Sequence, residues 1–405
     1  MKRFWMMVLA VGLALAGPAV WAQKFEGLAE TPPMGWNSWN KFACDVNEQL
    51  IRETADAMVA SGLRDAGYQY INIDDCWQGE RDARGFMQAD KQRFPSGMKA
   101  LADYVHAKGL KFGVYSDAGW KTCGGRPGSR GYEFQDALTY AEWGVDYLKY
   151  DWCFTEGLKA EGAYQTMSQA LRQAGRPILF SLCEWGTSKP WEWAGKVGHA
   201  WRTTGDIYNC FDCVKDNGDW KAFGVLQIMD MQEGLRAHAG PGRWNDADML
   251  EVGNGMPVNQ ERAHFSIWAM LASPLIAGND LRQMNKETLA VLSRRDVIAV
   301  NQDALGVPGW RQSAVDGLEV WFRPLAGGDW AVMALNRSTQ PRRLALDWAK
   351  LKVNDPVSGR DAALASLRYD LRDLWTGRAS GHTGSPLSAE VPGQDVLMLR
   401  LTPRR

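Results

Sequence analysis

The sequence predicts a (β/α)8 TIM barrel followed by a C-terminal antiparallel β-sandwich domain. Eight short apolar runs alternate with helical stretches, roughly 20 to 40 residues apart, over about 250 residues. Beyond about residues 301–303 the pattern changes to short β-type runs separated by turns rich in Gly, Pro and Asp. We therefore divide the chain into a signal peptide (1–22), a barrel (23–309) and an antiparallel β-domain (310–405).

The N-terminus has the pattern of a cleavable secretory signal. Met1-Lys2-Arg3 precedes an apolar run from Phe4 to about Gly17, and small residues stand at positions 20 and 22. The apolar run is too short for a comfortable membrane span. We expect a mature chain that starts near Gln23, has no membrane span and is exported, so that it is secreted or periplasmic.

Composition and charge restrict the class of partner. The 405 residues leave room for two domains, and the formal net charge is −1 with no cluster of Lys or Arg. A nucleic acid or an anionic membrane surface is therefore not expected as a partner, and a neutral substrate fits better. The 20 Trp residues have two comparable explanations, which are core packing and flat platforms for ligands such as sugar rings.

The eight barrel strands are predicted in order from the apolar runs 33–39, 68–77, 111–117, 147–153, 177–185, 199–206, 243–249 and 274–280. Helices are predicted at about 47–66, 96–108 and 160–173, with a further one before the fourth strand. Most runs end in Asp or Glu, and a single such acid would equally suit a helix cap. In a barrel these ends converge on one rim, where so many acids would repel one another without a polar ligand or cations. The convergence predicts a functional site.

The fourth run ends in the sequence Lys149-Tyr150-Asp151. Side chains alternate along a strand, so Lys149 and Asp151 share one face and are expected to meet. An ammonium beside a carboxylate favours the ionised acid, as a nucleophile or a substrate ligand requires. For a single Lys–Asp pair at a strand end, a purely structural ion pair would be the preferred explanation. The recurrence of acidic strand ends favours the functional one.

The C-terminal part shows three clear β-type runs, at 318–323, 330–336 and 395–401. It contains no cluster of residues that suggests catalysis. The stretch at about 350–367 lacks clear periodicity, and we expect it to be a surface insertion.

Five motifs together resemble glycoside hydrolase family 27, the family of α-galactosidases and α-N-acetylgalactosaminidases. They are GYQYINIDDCW (67–77), KYD (149–151), CEWG (183–186), WRTTGD (201–206) and WNDADM (244–249). The likeness runs from about residue 33 to the C-terminus, and the motifs appear in the family's order.

The resemblance implies a retaining mechanism with two carboxylates, in which Asp151 matches the nucleophile and Asp206 the acid/base. Arg202 shares strand parity with Asp206, and an arginine there would oppose the raised pKa that a proton donor needs. Either the strand bends before Asp206, or desolvation and the charge of Asp151 outweigh the arginine.

The resemblance also implies the residues that surround the sugar. The substrate-binding side chains carried over are Asp74, Asp75 and Lys149 for the outer hydroxyls, Glu184 and Arg202 near O2, Trp39 and Tyr115 around the pocket, and Asp248 and Met249 on its far side. Charged partners make the stronger hydrogen bonds to hydroxyls.

Two positions resemble the members that act on galactose. Glu184 matches the galactosidase form, whereas N-acetylgalactosaminidase members have smaller residues there, and β-L-arabinopyranosidase members have a larger acid at the position of Asp75. We expect an α-galactoside oligosaccharide or polysaccharide as substrate. β-L-Arabinopyranosidase and α-N-acetylgalactosaminidase activities are the alternatives within the family, and the sequence leaves the oligomeric state open.

A metal-dependent hydrolase and a sugar-binding protein without turnover are the alternatives from other classes of protein. A barrel hydrolase could hold a divalent metal on its aspartates, but the chain has five His and no His/Asp spacing that resembles a ligand set. We therefore expect neither a metal nor a cofactor. A secreted sugar-binding protein without turnover would not need both expected catalytic acids. A chelator test and an aryl-galactoside assay separate these classes.

The seven cysteines are expected to form disulfides in an oxidising compartment. Cys44 and Cys76 follow neighbouring strands, as do Cys123 and Cys153, so we predict the bonds Cys44–Cys76 and Cys123–Cys153. Each would contribute on the order of 3 kcal/mol by loop closure. Cys210 and Cys213 form a Cys-x-x-Cys motif, which either makes a local disulfide or stays reduced. If the two pair, Cys183 is left as a buried thiol.

Overall fold

The computed structural model describes residues 24–404. The elements of its first part are β1 (Met34–Asn37), α1 (Trp39–Phe42), α2 (Glu48–Ala60), α3 (Leu63–Ala66), β2 (Tyr70–Asn72), β3 (Gln78–Arg81), β4 (Met87–Ala89), α4 (Gly97–Ala107), β5 (Lys111–Asp117), α5 (Glu133–Trp143), β6 (Tyr147–Asp151), α6 (Ala160–Ala174), β7 (Leu179–Leu182), β8 (Ala200–Arg202), β9 (Val214–Asp216), β10 (Lys221–Phe223), α7 (Val225–Met231), β11 (Trp244–Asp246), α8 (Val258–Leu271), β12 (Leu275–Ala277), α9 (Lys286–Leu292) and α10 (Arg295–Asn301).

The second part is built from strands. They are β13 (Trp310–Val315), β14 (Leu318–Pro324), β15 (Trp330–Asn336), β16 (Arg342–Leu346), β17 (Val353–Asp355), β18 (Arg360–Ala362), β19 (Tyr369–Asp373), β20 (Ala379–His382), β21 (Leu387–Val391) and β22 (Asp395–Pro403). The expected signal peptide, residues 1–22, lies outside the described residues. Across residues 24–404 we find no helix with the length and apolar character that a bilayer span requires.

Eight parallel strands form the barrel in the order β11-β8-β7-β6-β5-β2-β1-β12. The ring closes just beyond β11, where Leu250 bridges to Ala277 and its amide donates to the Ile276 carbonyl at 2.7 Å. Strands such as β1 and β7 are buried at every position, which explains why they read as continuous apolar runs. The predicted barrel and β-sandwich are confirmed.

The helix predicted at 47–66 is two helices. Asn47 caps α2 by accepting a hydrogen bond from the Leu50 amide at 2.9 Å, and Ile51 and Met58 are buried on its inner face. Gly62 interrupts the helix because its φ of 81° is left-handed, a conformation that favours glycine. The apolar periodicity continues across this break, and the sequence therefore resembles one helix.

The antiparallel domain packs directly on the barrel. Its six-stranded sheet, in the order β13-β14-β15-β22-β19-β20, turns one face to helix α8. Trp321, Met333 and Met398 on that face belong to the same apolar core as the barrel. The opposite face packs against the hairpins β16–β21 and β17–β18 in a second core. The two parts of the chain therefore share one interior.

The stretch 350–367 is not a surface insertion, and that prediction is wrong. It forms the hairpin β17–β18, which buries Val353 and Ala362 in the second core. Asp355 is fully buried and pairs with Arg236 of the barrel at 2.6 Å. Each strand has only three residues, which is too short for an alternation to show in the sequence.

Three disulfides are present, so the prediction of disulfide bonding is confirmed. Cys44–Cys76 and Cys123–Cys153 each join the loops that follow neighbouring strands, with Cα atoms 5.2 Å apart. Cys210 and Cys213 pair locally, and Cys183 is a buried free thiol.

Candidate active site

A cavity of about 480 Å³ opens where the carboxyl ends of the barrel strands meet, a volume typical of ligand sites. Ten of the eleven side chains expected around the sugar line it: Trp39, Asp74, Asp75, Tyr115, Lys149, Asp151, Arg202, Asp206, Asp248 and Met249. Glu184 does not. A smaller cavity, of about 180 Å³, lies between the barrel and the β-domain and contains none of these residues.

Asp151 lies at the end of β6 and is 6% exposed. The Tyr115 hydroxyl donates to its Oδ2 at 2.9 Å, and the Trp152 amide donates to its Oδ1 at 3.0 Å. Burial raises the pKa of Asp151 to about 6; the nearby positive charge of Lys149 opposes this rise, whereas Asp206 adds to it. The carboxylate is therefore held in one orientation and is ionised only above weakly acidic pH.

Lys149 pairs with Asp74, which corrects the expected contact with Asp151. Its Nζ lies 2.8 Å from Asp74 Oδ2, an oxygen that also accepts a hydrogen bond from Asn37 at 2.8 Å. Residues two apart on a strand are separated by about 6.6 Å, so a carboxylate that follows a nearby strand is the closer partner. Burial alone would lower the pKa of Lys149, but the charge of Asp74 raises it, so the lysine is a fixed cation in the cavity.

Asp75 is fixed by the backbone of two loops. Its Oδ1 accepts from the Cys76 amide and its Oδ2 from the Gly124 amide, both at 2.6 Å. A Cβ on Gly124 would lie 2.8 Å from the Cys76 sulfur and 2.9 Å from Asp75 Oδ2, so only glycine fits there. Burial raises the pKa of Asp75.

Arg202 contacts two acids on the side of the cavity opposite Lys149 and Asp74. Its Nη2 lies 2.7 Å from Asp248 Oδ2 and 3.2 Å from Asp206 Oδ1. Strand β8 ends at Arg202 and the chain bends before Asp206, but the bend does not separate the two side chains, so the contact expected from their strand parity is present. Asp248 is buried, whereas the Asp206 side chain is 43% exposed. Arg202 therefore shares its charge between a buried and an accessible carboxylate.

Glu184 occupies a turn beside the cavity. Its Oε2 accepts a hydrogen bond from the Ser188 amide at 2.7 Å. Trp185, the next residue, lines the cavity and has a left-handed φ of 59°. The turn thus presents the indole where the sequence suggested the carboxylate.

Strained backbone recurs in the loops that follow the barrel strands. The non-glycine residues Ala43, Cys76, Phe154, Trp185 and Asp248 all have positive φ and lie in these loops. Such conformations cost about 1–3 kcal/mol each and cluster at functional sites. The distribution agrees with a site at this rim.

A second group of cavity residues was not predicted from the sequence. These are Asn40, Lys41, Ala43, Cys123, Trp185, Ile207, Tyr208, Asn209, Lys215, Asn217, Trp220, Ala222, Glu251 and Asn254. Glu251 accepts hydrogen bonds from Asn40 and Asn254, and burial raises its pKa to about 7. Most of the others lie in loops without strand or helix periodicity. The available signal was the aromatic residues of the run 207–222, of which Tyr208 and Trp220 line the cavity and Phe211 does not.

One cluster within the described residues combines atom types that bind metals. Asp117, Cys123 and Cys153 bring their ligand atoms within 4.8 Å of one another. The two sulfurs are joined in a disulfide and offer no thiolate. These residues do not fit a metal site.

Comparisons with known proteins agree with this geometry. A family model described as alpha galactosidase A matches residues 31–303, and one for the alpha galactosidase C-terminal beta sandwich domain matches residues 315–401. Alpha-galactosidase A of Cellvibrio japonicus is 56% identical over 98% of this chain and 99% of its own length. The α-galactosidase I structure from Mortierella vinacea has a TM-score of 0.86 at 39% identity, covering 93% of this chain and 98% of its own. A Saccharomyces cerevisiae α-galactosidase with raffinose has a TM-score of 0.86 at 33% identity, covering 93% and 99%. The chain belongs to the α-galactosidase family, glycoside hydrolase family 27, and is a glycoside hydrolase with α-galactosidase activity.

Proposed function

We propose that this enzyme releases terminal α-D-galactose with retention of configuration, with Asp151 as the nucleophile and Asp206 as the acid/base. Asp151 attacks the anomeric carbon while the bond to the leaving oxygen breaks and Asp206 gives that oxygen its proton. Water then attacks the glycosyl-enzyme, passes a proton to Asp206 and frees Asp151.

The contrast between the two acids in one cavity supports this assignment. Asp151 is 6% exposed and oriented by the hydrogen bonds from Tyr115 and Trp152, as an attacking group that needs one fixed position requires. Asp206, with its side chain 43% exposed, can reach a leaving group and later a water. Ionisation of Asp151 does not depend on a direct ion pair with Lys149, because Asp74 takes that contact.

The remaining cavity residues are proposed to bind galactose. The buried ion pairs Lys149–Asp74 and Arg202–Asp248 place charged hydrogen-bonding groups on opposite sides of the cavity. Trp39, Tyr115 and Met249 provide apolar surface, and Asp75 is held toward the cavity by its backbone bonds. Glu184 does not line the cavity, and its proposed role is to hold the turn that places Trp185 near the substituent at C2 of the sugar.

Export and the natural substrate also belong to this proposal. The basic, apolar and small-residue pattern of residues 1–22 supports a signal peptide, with the mature barrel at 23–309 and the β-domain at 310–405. Three disulfides suit the periplasm or the extracellular space. The substrate would be an α-galactoside oligosaccharide or polysaccharide, as for the Saccharomyces cerevisiae relative whose structure contains raffinose.

The two variants Asp151→Ala and Asp206→Ala test the assignment. Each is assayed on an activated aryl galactoside and on an unactivated galactoside, with and without azide. Asp151→Ala should abolish turnover of both substrates, because no glycosyl-enzyme forms. Asp206→Ala should keep turnover of the aryl substrate, whose leaving group departs without a proton, and should lose about 10²–10⁴-fold on the unactivated one.

The stereochemistry provides a second readout. Azide should rescue Asp206→Ala and give an α-galactosyl azide, and the native enzyme should release α-galactose first, as followed by proton NMR. Exchange of the two variant phenotypes, or release of β-galactose first, would contradict the proposal.

A further inference from the structure

The hairpin β9–β10 is attached to the residue proposed as the acid/base. The Phe223 amide donates to the Asp206 carbonyl at 2.9 Å, and the Tyr208 amide donates to the Phe223 carbonyl at 2.8 Å. The Cys210–Cys213 disulfide closes the base of the hairpin. The hairpin thus has a fixed position relative to Asp206.

Glycine makes this attachment possible. A Cβ on Gly224 would lie 2.8 Å from the Cys210 sulfur and 2.9 Å from the Cys213 amide nitrogen. The Gly224 amide donates to the Cys213 carbonyl at 2.8 Å. The close approach at residue 224 secures the returning strand against the disulfide, so the hairpin is held at both of its ends.

Trp220, just before β10, forms an aromatic wall of the cavity. It lines the same cavity as Asp151 and Asp206, and 54% of its surface is exposed. Tyr208 also lines the cavity and is 39% exposed. A large aromatic side chain usually buries its ring, so an exposed indole on a cavity wall indicates a surface for a ligand.

Neutral polar atoms accompany these aromatic rings. Asn217 Nδ2 and Asn209 Oδ1 are inaccessible to solvent and have no hydrogen-bond partner among residues 24–404, and both residues line the cavity. A buried polar atom without a partner costs about 1–3 kcal/mol. Asn209 and Asn217 thus add neutral amide groups to the cavity wall that carries the two aromatic rings.

We propose that the hairpin binds the leaving group of the substrate, and that this leaving group is a sugar residue that stacks on Trp220. The inference rests on the proposed function: if Asp206 protonates the leaving oxygen, the leaving group lies on the side of the cavity that Asp206 shares with Tyr208 and Trp220. The deep half of the cavity carries the charged pairs for galactose. The outer half combines aromatic faces with amides, which suits the C–H faces and hydroxyls of a second sugar.

The variant Trp220→Ala tests this site with two substrates. One is α-galactosyl fluoride, whose leaving group is too small to reach the hairpin, and the other is a galactosyl disaccharide with a single sugar as leaving group. We expect the ratio of kcat/KM for the disaccharide to kcat/KM for the fluoride to fall about tenfold, as for the loss of one aromatic anchor. Trp220→Phe should retain most of the native ratio.

Trp120→Ala is the matched control, because Trp120 is 51% exposed but does not line the cavity. Its ratio should equal that of the native enzyme. An unchanged ratio in an active Trp220→Ala variant, or an equal fall in Trp120→Ala, would overturn this inference alone. Failure of the native enzyme to turn over the fluoride would instead overturn the proposed function and the inference with it.

Discussion

Asp151 illustrates how burial and hydrogen bonding oppose each other at a single residue. Burial raises its pKa to about 6, while Tyr115 donates a hydrogen bond that favours the carboxylate. The pKa of this carboxyl lies above its ordinary value, so the charged form, which attacks in the proposed mechanism, is lost as pH falls through about 6. This residue should therefore set the acidic limb of the activity profile.

We predict that kcat/KM of the native enzyme falls below about pH 6, since that constant reports on the free enzyme. In Tyr115→Phe the acidic limb should move up by roughly one pH unit, the size expected for a lost hydrogen bond to a charged group. The measurement is the pH dependence of kcat/KM on an aryl galactoside.

Tyr164→Phe is the control for that shift. Its hydroxyl is buried near the same residue but donates to the Tyr150 carbonyl at 3.0 Å and the Asp151 carbonyl at 3.4 Å, and not to the carboxylate. Its acidic limb should stay at the native position. An acidic limb that does not move in Tyr115→Phe would show that another group controls it.

Asp75 is the residue at which sugar preference should change. The Cys76 and Gly124 amides hold both of its oxygens, so a longer acid has room only toward the cavity. We predict that Asp75→Glu lowers kcat/KM on an α-D-galactoside and favours the β-L-arabinopyranoside, which lacks the hydroxymethyl group. The ratio of the two specificity constants should change about tenfold or more.

Asp75→Asn separates size from charge in that experiment. It keeps the length of the side chain and should lower activity on both sugars without altering the ratio. If Asp75→Glu leaves the ratio of the two constants at the native value, the hydroxymethyl group does not lie against this residue.

At the scale of elements, short strands carry the site and the loops after them shape it. Strands such as β2 and β8 have only three residues, and the acids lie at or just beyond the strand ends. The two disulfides between neighbouring loops therefore position the rim as well as stabilise it. Cys123 lines the cavity, and Gly124 beside it holds Asp75.

We predict that the double variant Cys123→Ser/Cys153→Ser loses on the order of 3 kcal/mol of unfolding free energy, because the bond closes a loop with a sequence separation of 30. Activity should also fall, since the Gly124 amide is no longer fixed against Asp75. Denaturant unfolding and kcat/KM on the aryl galactoside provide the two measurements.

Cys210→Ser/Cys213→Ser is the control for the loop length. That disulfide closes a sequence separation of only three, so the loss of unfolding free energy should be smaller. Equal losses in the two double variants would contradict the loop-closure explanation.

At the scale of the whole molecule, the barrel and the β-domain share an apolar core. Trp321, Met333 and Met398 of the sheet belong to it together with helix α8, all but the first few residues of which are buried. Ion pairs of Arg262 with Asp395 and of Arg236 with Asp355 cross the same interface. An interface of this kind resembles the interior of one domain.

We therefore predict that residues 23–309 expressed alone do not form a stable barrel. Removing the sheet would expose the apolar side of α8 to water, which favours aggregation. The measurement compares the soluble yield and the thermal unfolding of the truncated and full chains. A soluble truncated barrel with the native unfolding temperature would show that the shared core is dispensable.

The sequence by itself determined the barrel, the antiparallel domain and the acids that meet at one rim. These depend on local patterns, because a parallel strand buried on both faces is a largely apolar run, and most of these runs end in an acidic residue. The order of the strands along the chain then places Asp74, Asp151 and Asp206 around one cavity.

Only the tertiary structure decided which side chains pair and which residues form the cavity wall. Lys149 pairs with Asp74 and not with Asp151, because a separation across strands can be shorter than two steps along one strand. Glu184 turns to the Ser188 amide, and Trp220 reaches the cavity on a hairpin with no periodic signal. Such contacts join residues distant in sequence, and periodicity records the face of an element but not the partner opposite it.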